Sequence, residues 1–449
     1  MVQTVEAALR ALSGGSATAA SLLAACVERI CNRGGEGARA FPHGVSMAAQ
    51  KQAAAVDMLR DQGVAGPLAG LPISVKDLFD VQGDVTRAGA SFVLPEVPAR
   101  ADAVAIARLR AAGAVFVGRT NMTEFAYSGV GINPHYGTPR NPYDRAVGRI
   151  PGGSSSGAAV SVTDGMALAA IGSDTGGSCR IPAALCGITG FKPTASRIPL
   201  QGAVPLSASY DSVGCLANTV ACCAAIDAVM AGDAASPVKP LPLAGVRLAV
   251  PTQLVLDGME DVVARAYQQA LGALSAAGAL LQEVCFGSWE RLADITAHGG
   301  LVAAEASAWH GELLAVHADR YDPRVLSRIR LADQQRAADY LRMHAHRAAL
   351  CRQADEELAQ FDAVVLPTVP IIAPRIQDLE GDEAFFNANR LLLRNPAIAN
   401  MLDLCALSVP CHQPGDAPVG LMLFGRHQTD RHLLALGLSV EAALQRSTR

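Results

Sequence analysis

Hydroxyl groups and one lysine carry the first chemical signal in this chain. Two Gly/Ser loops lie close together, GRIPGGSSSGAAV at residues 148–160 and DTGGSCRIP at residues 174–182. Such a pair can be a flexible linker, a phosphate cradle, or two hydroxyls converging on one centre. Upstream, LPISVKDLFDV (71–81) sets Lys76 among Ile73, Val75, Leu78 and Phe79. A lysine at the end of an apolar strand can be desolvated until it loses its proton near neutral pH, which makes it a usable base. The competing reading is a lysine that snorkels to water or pairs with Asp77. Lysine is sparingly used here: Lys51, Lys76, Lys192 and Lys239 are the only four among 37 basic residues. Arginine stays protonated, so any task that needs a neutral amine falls to a lysine. One buried lysine and two serine loops together suggest a Ser/Lys nucleophilic site in which no His or Asp is required.

Three familiar motifs are present in form only. Gly153, Ser155 and Gly157 have the G-x-S-x-G spacing of a nucleophile elbow, but that elbow needs a strand leading into it, and GRIPGG with Pro151 is a poor strand. A phosphate loop would continue Gly-Lys-Ser/Thr, whereas this one continues Gly157-Ala158-Ala159-Val160. Asp174-Thr175-Gly176 is the aspartic-protease triplet, which works as a pair of carboxylates; the chain has one copy.

The elements that must position these residues can be read coarsely. Half of the 449 residues are hydrophobic and 17% are charged, enough for a large core and too little charge for disorder. Net charge is −4 with no basic run, which argues against a nucleic-acid partner. The N-terminus lacks the pattern of a signal peptide and no stretch reaches about 18 apolar residues, so a cytoplasmic protein with no membrane contact is expected. The 11 cysteines form no C-x-x-C pair and sit in apolar contexts, as reduced, buried thiols would. No histidine pair has metal-ligand spacing; His344 and His346 are two apart and point to different helix faces. We therefore expect no metal.

Residues 4–12 and 17–31 read as two amphipathic helices, the second capped by Ser16 or Thr18, packed as a hairpin. AVAIARLRAAGAVFVGRT reads as helix, stop and buried strand, and AYQQALGALSAAGALLQEV repeats that order. Such alternation predicts an α/β fold, a large mixed β-sheet covered on both faces by helices. A Pro-rich joint at 237–245 precedes a mostly helical stretch near 260–360, and the strand pattern resumes at FDAVVLPTVP. This favours one domain with a helical excursion. Its segments would be a helical hairpin (1–60), a catalytic core (61–236), linker and excursion (237–360) and a return to the sheet (361–449).

The long stretch GRIPGGSSSGAAVSVTDGMALAAIGSDTGGSCRIPAALCGITGFKPT (148–194) resembles the signature of the amidase signature family nearly throughout. VGRTNMTEFAYSG, YGTPRNPYD, AVVLPTVP and APVGLMLFG resemble family segments in the same order. The resemblance implies a Ser-cisSer-Lys triad of Ser178, Ser154 and Lys76, the serines 24 residues apart as the family has them. It implies a cis peptide before Ser154, and an oxyanion hole from the N–H groups of Thr175, Gly176, Gly177 and Ser178. Lys192, in GFKPT, matches a family lysine outside the triad and is expected to be structural. The implied activity is hydrolysis of a small linear amide through an acyl-enzyme on Ser178, with no cofactor.

Substrate choice is less legible. Tyr127 and Ser128, in EFAYSG, fall where the family lines its acyl pocket; a packed aromatic is the competing reading. Arg328 and Arg330, in SRIRLA, could meet a substrate carboxylate, but as members of a charged helical face they are expected to be solvated. Two kinds of relative stay open. NMLDLCALSVP resembles a stretch of ureido-acid hydrolases of the allophanate or carboxybiuret type, yet AAEASAWHGELL shows no counterpart of the Tyr and Arg that hold their substrate. The other is the glutaminase component of a tRNA-dependent amidotransferase, which would bring an accessory partner chain with it; a homodimer is also open. A non-enzymatic scaffold is disfavoured because all three triad positions are filled.

Overall fold

The computed structural model describes residues 4–92, 97–233 and 237–447. Ten strands form one sheet: β1 (Pro72–Lys76), β2 (Val115–Thr120), β3 (Ala169–Asp174), β4 (Thr189–Lys192), β5 (Ser212–Ala217), β6 (Arg247–Pro251), β7 (Leu280–Val284), β8 (Ala363–Pro367), β9 (Cys405–Pro410) and β10 (Gly420–Gly425). Their order across the sheet is β2-β1-β3-β5-β4-β9-β10-β8-β6-β7. The two flanks, β2-β1-β3 and β8-β6-β7, are parallel, and the run from β3 through β8 is antiparallel. The mixed sheet predicted from helix–strand alternation is therefore present, in a single domain.

Alternation along each strand sends side chains to opposite faces. On one face Val213, Cys215, Leu407, Leu421 and Leu423 join a core with Cys222, Ile226, Leu433 and Leu436 from the helices Val220–Ala231 and Asp430–Ser447. The three leucines from β9 and β10 are fully buried, each contributing about 1.5–3 kcal/mol relative to exposure. On the other face Ala170 and Leu216 pack with Ala158, Ala159 and Ala183, from the short helices Ser156–Thr163 and Arg180–Cys186 that follow the two serine loops. These side chains are small, so the helices lie close to the sheet. A Cβ built on Gly190 of β4 would sit 2.5 Å from the carbonyl oxygen of Cys179, so only glycine admits the helix there.

The N-terminal helices run over Val5–Ser13 and Ala19–Cys31, and Thr18 caps the second by accepting from Ser21 N–H. They are not mainly each other's partners. Val5, Ala8 and Leu12 belong to the large core under Val220–Ala231, whereas Ala19–Cys31 packs against the helix Ala49–Asp61 and β2. The second helix–stop–strand unit also departs from expectation, since β7 is not buried. Like β2 it is an edge strand, but β2 lies under the helices Ala19–Cys31 and Ala49–Asp61, whereas Leu280 of β7 is 58% exposed. The stretch 237–360 contributes β6 and β7 as well as the helices Asp261–Ala276, Gly300–His317, Pro323–Ile329 and Ala337–Leu358; the boundary expected at 236 lies outside the described residues. All eleven thiols are free, but Cys31 and Cys285 are exposed, one at a helix end and the other just after the edge strand. Among the described residues no helix is long and apolar enough to cross a membrane.

Gly190→Ala should therefore push the Cys179 backbone away and lower the denaturation midpoint by the equivalent of about 1–3 kcal/mol. Gly272→Ala, inside the helix Asp261–Ala276 with nothing within 4 Å of the new Cβ, should raise it by about 0.5–1 kcal/mol. Urea unfolding of the two variants beside the parent checks both signs.

Candidate active site

Lys76 ends β1 and Asp174 ends the neighbouring parallel strand β3, so both emerge where an open α/β sheet places its ligands, at the carboxyl ends of its strands. Lys76 is fully buried. Its Nζ donates to Ser154 Oγ at 2.7 Å and to Ser173 Oγ at 2.8 Å. Burial pulls the ammonium down to about 8, against the opposing influence of Cys179, Asp174 and Asp211. The pairing with Asp77 considered above does not form: Asp77 binds Arg119 Nε at 2.6 Å instead. Ser173, the second partner of Lys76, was missed in the sequence because it precedes the recognisable D-T-G-G-S run; its place one residue before the end of β3 was the available clue.

Ser154 is fully buried, and the peptide linking it to Gly153 is cis, as the resemblance implied. The backbone around it is crowded. Gly131 has φ 88°, and a Cβ there would lie 2.2 Å from the carbonyl oxygen of Gly152. Ser155, the middle residue of the apparent nucleophile elbow, is buried and turned toward the carbonyl of Ser173 at 3.5 Å.

The turn from β3 into Arg180–Cys186 carries Ser178, and Asp174 organises it. Its carboxylate accepts from the N–H groups of Gly177 (2.8 Å) and Cys179 (3.0 Å) and, bidentately, from one edge of the Arg180 guanidinium, Nε at 3.0 Å and Nη2 at 2.8 Å. Burial alone would raise the Asp174 carboxyl, but Arg180 and these bonds hold it well below the usual carboxylate range. Arg180 is fully buried and reaches on to Pro396 O and Asn400 Oδ1, each at 2.8 Å; Asn400 Nδ2 returns to Asp174 O at 2.9 Å. Asp174 is thus a scaffold for the turn. Thr175 is held from behind: its hydroxyl donates to Asp211 at 2.5 Å. Burial pushes the Asp211 carboxyl up to about 6, offset by that bond and by the N–H groups of Leu206 and Ser207.

This arrangement corrects one member of the expected oxyanion hole. The N–H of Gly177 is committed to Asp174 Oδ1, while among the described residues nothing accepts from the N–H groups of Thr175, Gly176 or Ser178. Gly177 serves the turn in another way. Its φ is 127°, and a Cβ would fall 2.6 Å from Pro396 Cβ.

Ser178 lines a cavity of about 840 Å3 together with Tyr127, Ser128, Thr175 and Gly176. Leu206, Tyr210, Trp289, Ile295, Ile398 and Met401 supply apolar wall. Ser128 Oγ donates to Asn389 Oδ1 at 3.0 Å, tying it to the helix Asp382–Arg394 on the same wall. Arg328 departs from the solvated face expected of it: it lines the cavity, its guanidinium 4.3 Å above the Tyr127 ring and its Nη1 donating to Tyr127 O. Arg330, two residues on, is exposed and outside the cavity. Trp289, Asn389 and Arg390 lie far in sequence from the serine loops and had no motif to mark them. Lys192 stays apart, buried in β4 and donating to Pro193 O at 2.7 Å and Leu404 O at 2.9 Å.

Comparison with known proteins agrees over the whole domain. The Amidase family model matches residues 22–434. A 2-amino-5-chloromuconic acid deaminase from Comamonas testosteroni is 40% identical, over 88% of this chain and 86% of that protein. One chain of the glutamyl-tRNA(Gln) amidotransferase from Chloroflexus aggregans is 34% identical, over 99% of this chain and 97% of its own length. Among solved structures, a crystal structure of an amidase superposes with TM-score 0.87 at 34% identity, covering 98% of this chain and 99% of its own. A likeness that takes in the sheet, both serine loops and the cavity wall together is one of common descent: the chain belongs to the amidase signature family, whose members hydrolyse carbon–nitrogen bonds.

Proposed function

We propose that this enzyme hydrolyses a small carboxylic amide to carboxylate and ammonia through an acyl-enzyme on Ser178. Neutral Lys76 takes the proton of Ser154, Ser154 takes that of Ser178, and Ser178 Oγ attacks the carbonyl carbon. The developing oxyanion accepts from the free N–H groups of Thr175, Gly176 and Ser178. As the C–N bond breaks, the same protons run back to the leaving nitrogen, which departs as ammonia. Water then repeats the sequence on the ester, releasing the acid and restoring the Ser178 hydroxyl.

The observation that carries this reading is the 2.7 Å contact of a fully buried lysine with Ser154. Ser178 stands on the cavity wall at a turn with three unused N–H groups. Ser178 Oγ makes no hydrogen bond to any described residue. The relay is thus completed when bound substrate draws the two serines together, as catalytic contacts commonly tighten on binding. The name of the Comamonas relative, a deaminase, fits nitrogen leaving this centre as ammonia. The amidotransferase chain, similar over nearly its full length, favours a second reading in which this protein is a glutaminase that works beside partner chains. Ammonia release by the purified chain alone, from simple amides against glutamine, separates the two.

A fluorophosphonate probe followed by peptide mapping should label Ser178; label on Ser155 would overturn the nucleophile. Because the base is the neutral amine, kcat/KM should rise with pH and level off above about 8, where Lys76 loses its proton, the apparent value belonging to the coupled Ser/Lys network. Lys76→Ala should cost about 100- to 10,000-fold in turnover. Lys76→Arg should be nearly as damaging, since a guanidinium stays charged. Pre-steady-state rates between pH 6 and 10 check the profile, and an active Lys76→Arg enzyme with an unchanged profile would sink the assignment.

A further inference from the structure

Asn389 is a polar residue on an otherwise apolar face. The buried side of the helix Asp382–Arg394 is made of Phe385, Ala388, Asn389 and Leu392. Asn389, 5% exposed, also lines the cavity onto which Ser178 opens. Its oxygen is fully engaged: Oδ1 accepts from Ser128 Oγ at 3.0 Å and from Gly129 N–H at 2.9 Å. A backbone N–H can only donate, so that bond fixes which end of the amide is oxygen and turns Nδ2 the other way. Among the described residues nothing accepts from Nδ2. A buried amide with one end unbonded is costly until an acceptor reaches it.

The choice of an amide at this position is informative. Tying the helix to Ser128 and Gly129 needs only an acceptor. An aspartate would accept the same two bonds more strongly, and Arg328 and Arg390, which line the same cavity, would favour its charge. What the amide adds is a donor at its free end.

That donor stands near the reacting centre. Leu393, one helical turn further along, comes within 3.3 Å of where a Cβ on Gly176 would sit, so this part of the helix packs on the oxyanion turn. On the other side Gly129, which holds Oδ1, accepts at its own carbonyl from Gly153 N–H at 2.8 Å, beside the peptide that leads into Ser154. Asn389 is thus held between the two serine turns, on the wall they share. Of the ~5.4 Å between neighbouring helical turns a hydrogen bond takes ~2.9 Å, which leaves room for two or three carbons of an acyl chain.

We infer that the substrate is an amide whose acyl chain carries a hydrogen-bond-accepting oxygen on its β or γ carbon, and that Asn389 Nδ2 donates to that oxygen while Ser178 attacks the amide. The inference rests on the amidase reading above and adds to it the chemical class of the acyl chain. Asn389 is then a specificity-determining residue, whereas a residue that merely tied the helix to the Ser128 loop would serve every amide alike.

The test compares amides in which a ketone oxygen is exchanged for a methyl group of similar size: 3-oxobutanamide against 3-methylbutanamide, and 4-oxopentanamide against 4-methylpentanamide. Ammonia release by the full chain should favour the better oxo amide over its methyl partner by about 10-fold or more in kcat/KM. Asn389→Asp keeps the acceptor for Ser128 and Gly129 and removes the donor. Above about pH 8, where the new carboxyl is ionised, it should cut that ratio about tenfold, mainly by raising KM for the oxo amide. Asn389→Leu, which removes both ends, should cut the ratio as well and also lower the melting temperature. Methyl amides cleaved as well as oxo amides by the parent enzyme would overturn the inference, as would an Asn389→Asp enzyme that keeps the parent ratio or loses both classes equally. If amides of neither kind are cleaved, it is the amidase reading that fails. Ligand-observed NMR titration of the Ser178→Ala protein with each pair then decides the donor separately: tighter binding of the oxo amide, lost when Asn389→Asp is added, supports it, and equal binding or no binding of the pair overturns it.

Discussion

The site depends on keeping one negative charge away from one lysine. Lys76 lies fully out of water and can serve as a base near neutral pH only if no carboxylate pairs with it. Two acids stand close enough to act on it, Asp174 and Asp211. The first is claimed by Arg180 through two parallel hydrogen bonds. The second is engaged by the Thr175 hydroxyl and by the N–H groups of Leu206 and Ser207, so its oxygens are bonded to groups other than Nζ. What remains in contact with Nζ are two hydroxyls, Ser154 and Ser173, which can exchange a proton with it and cannot lock it in the charged form. Removing Arg180 would leave Asp174 a buried, uncompensated anion near Lys76, so the salt bridge protects the chemistry as well as the turn.

The fold supplies the positions. Parallel strands β1 and β3 bring Lys76 and Asp174 to the same end of the sheet, and the two short helices that follow the serine loops lie on the face next to them. Small residues let those helices approach: Gly190 lies under Cys179, and Gly131 under the Gly152 carbonyl. The serine loops are therefore rigid turns stacked between helix and sheet. The cavity in front of them is walled by segments remote in sequence, including Tyr127, Trp289, Arg328 and Asn389. The chemistry is built on the sheet, and what the enzyme acts on is decided by loops and helices laid over it.

Legibility followed from how local each signal is. The cap at Thr18, the helix–strand alternation and the apolar setting of Lys76 are carried by neighbouring residues, so they could be read directly. The oxyanion turn was read as four equivalent N–H groups, and the loss of Gly177 to Asp174 was hidden because it depends on how the turn closes. β7 carried the same pattern as β2 and both are edge strands; they differ because the helices Ala19–Cys31 and Ala49–Asp61 cover β2, whereas β7 is left open to water. Arg328 and Arg330 share one helix end and one composition; a Tyr127 ring some two hundred residues earlier in the chain separates them.

By itself the sequence marked the candidate reacting groups and the class of sheet that carries them, because a serine–glycine turn, a lone lysine in an apolar strand and a helix–stop–strand order are each set by residues a few positions apart. Only the tertiary structure decided which N–H groups are free, that Ser173 joins Lys76, and that Arg328 faces the cavity while Arg330 faces water. Those outcomes depend on long-range packing and on the electrostatics of burial, where the partner that neutralises or exposes a group comes from a distant part of the chain.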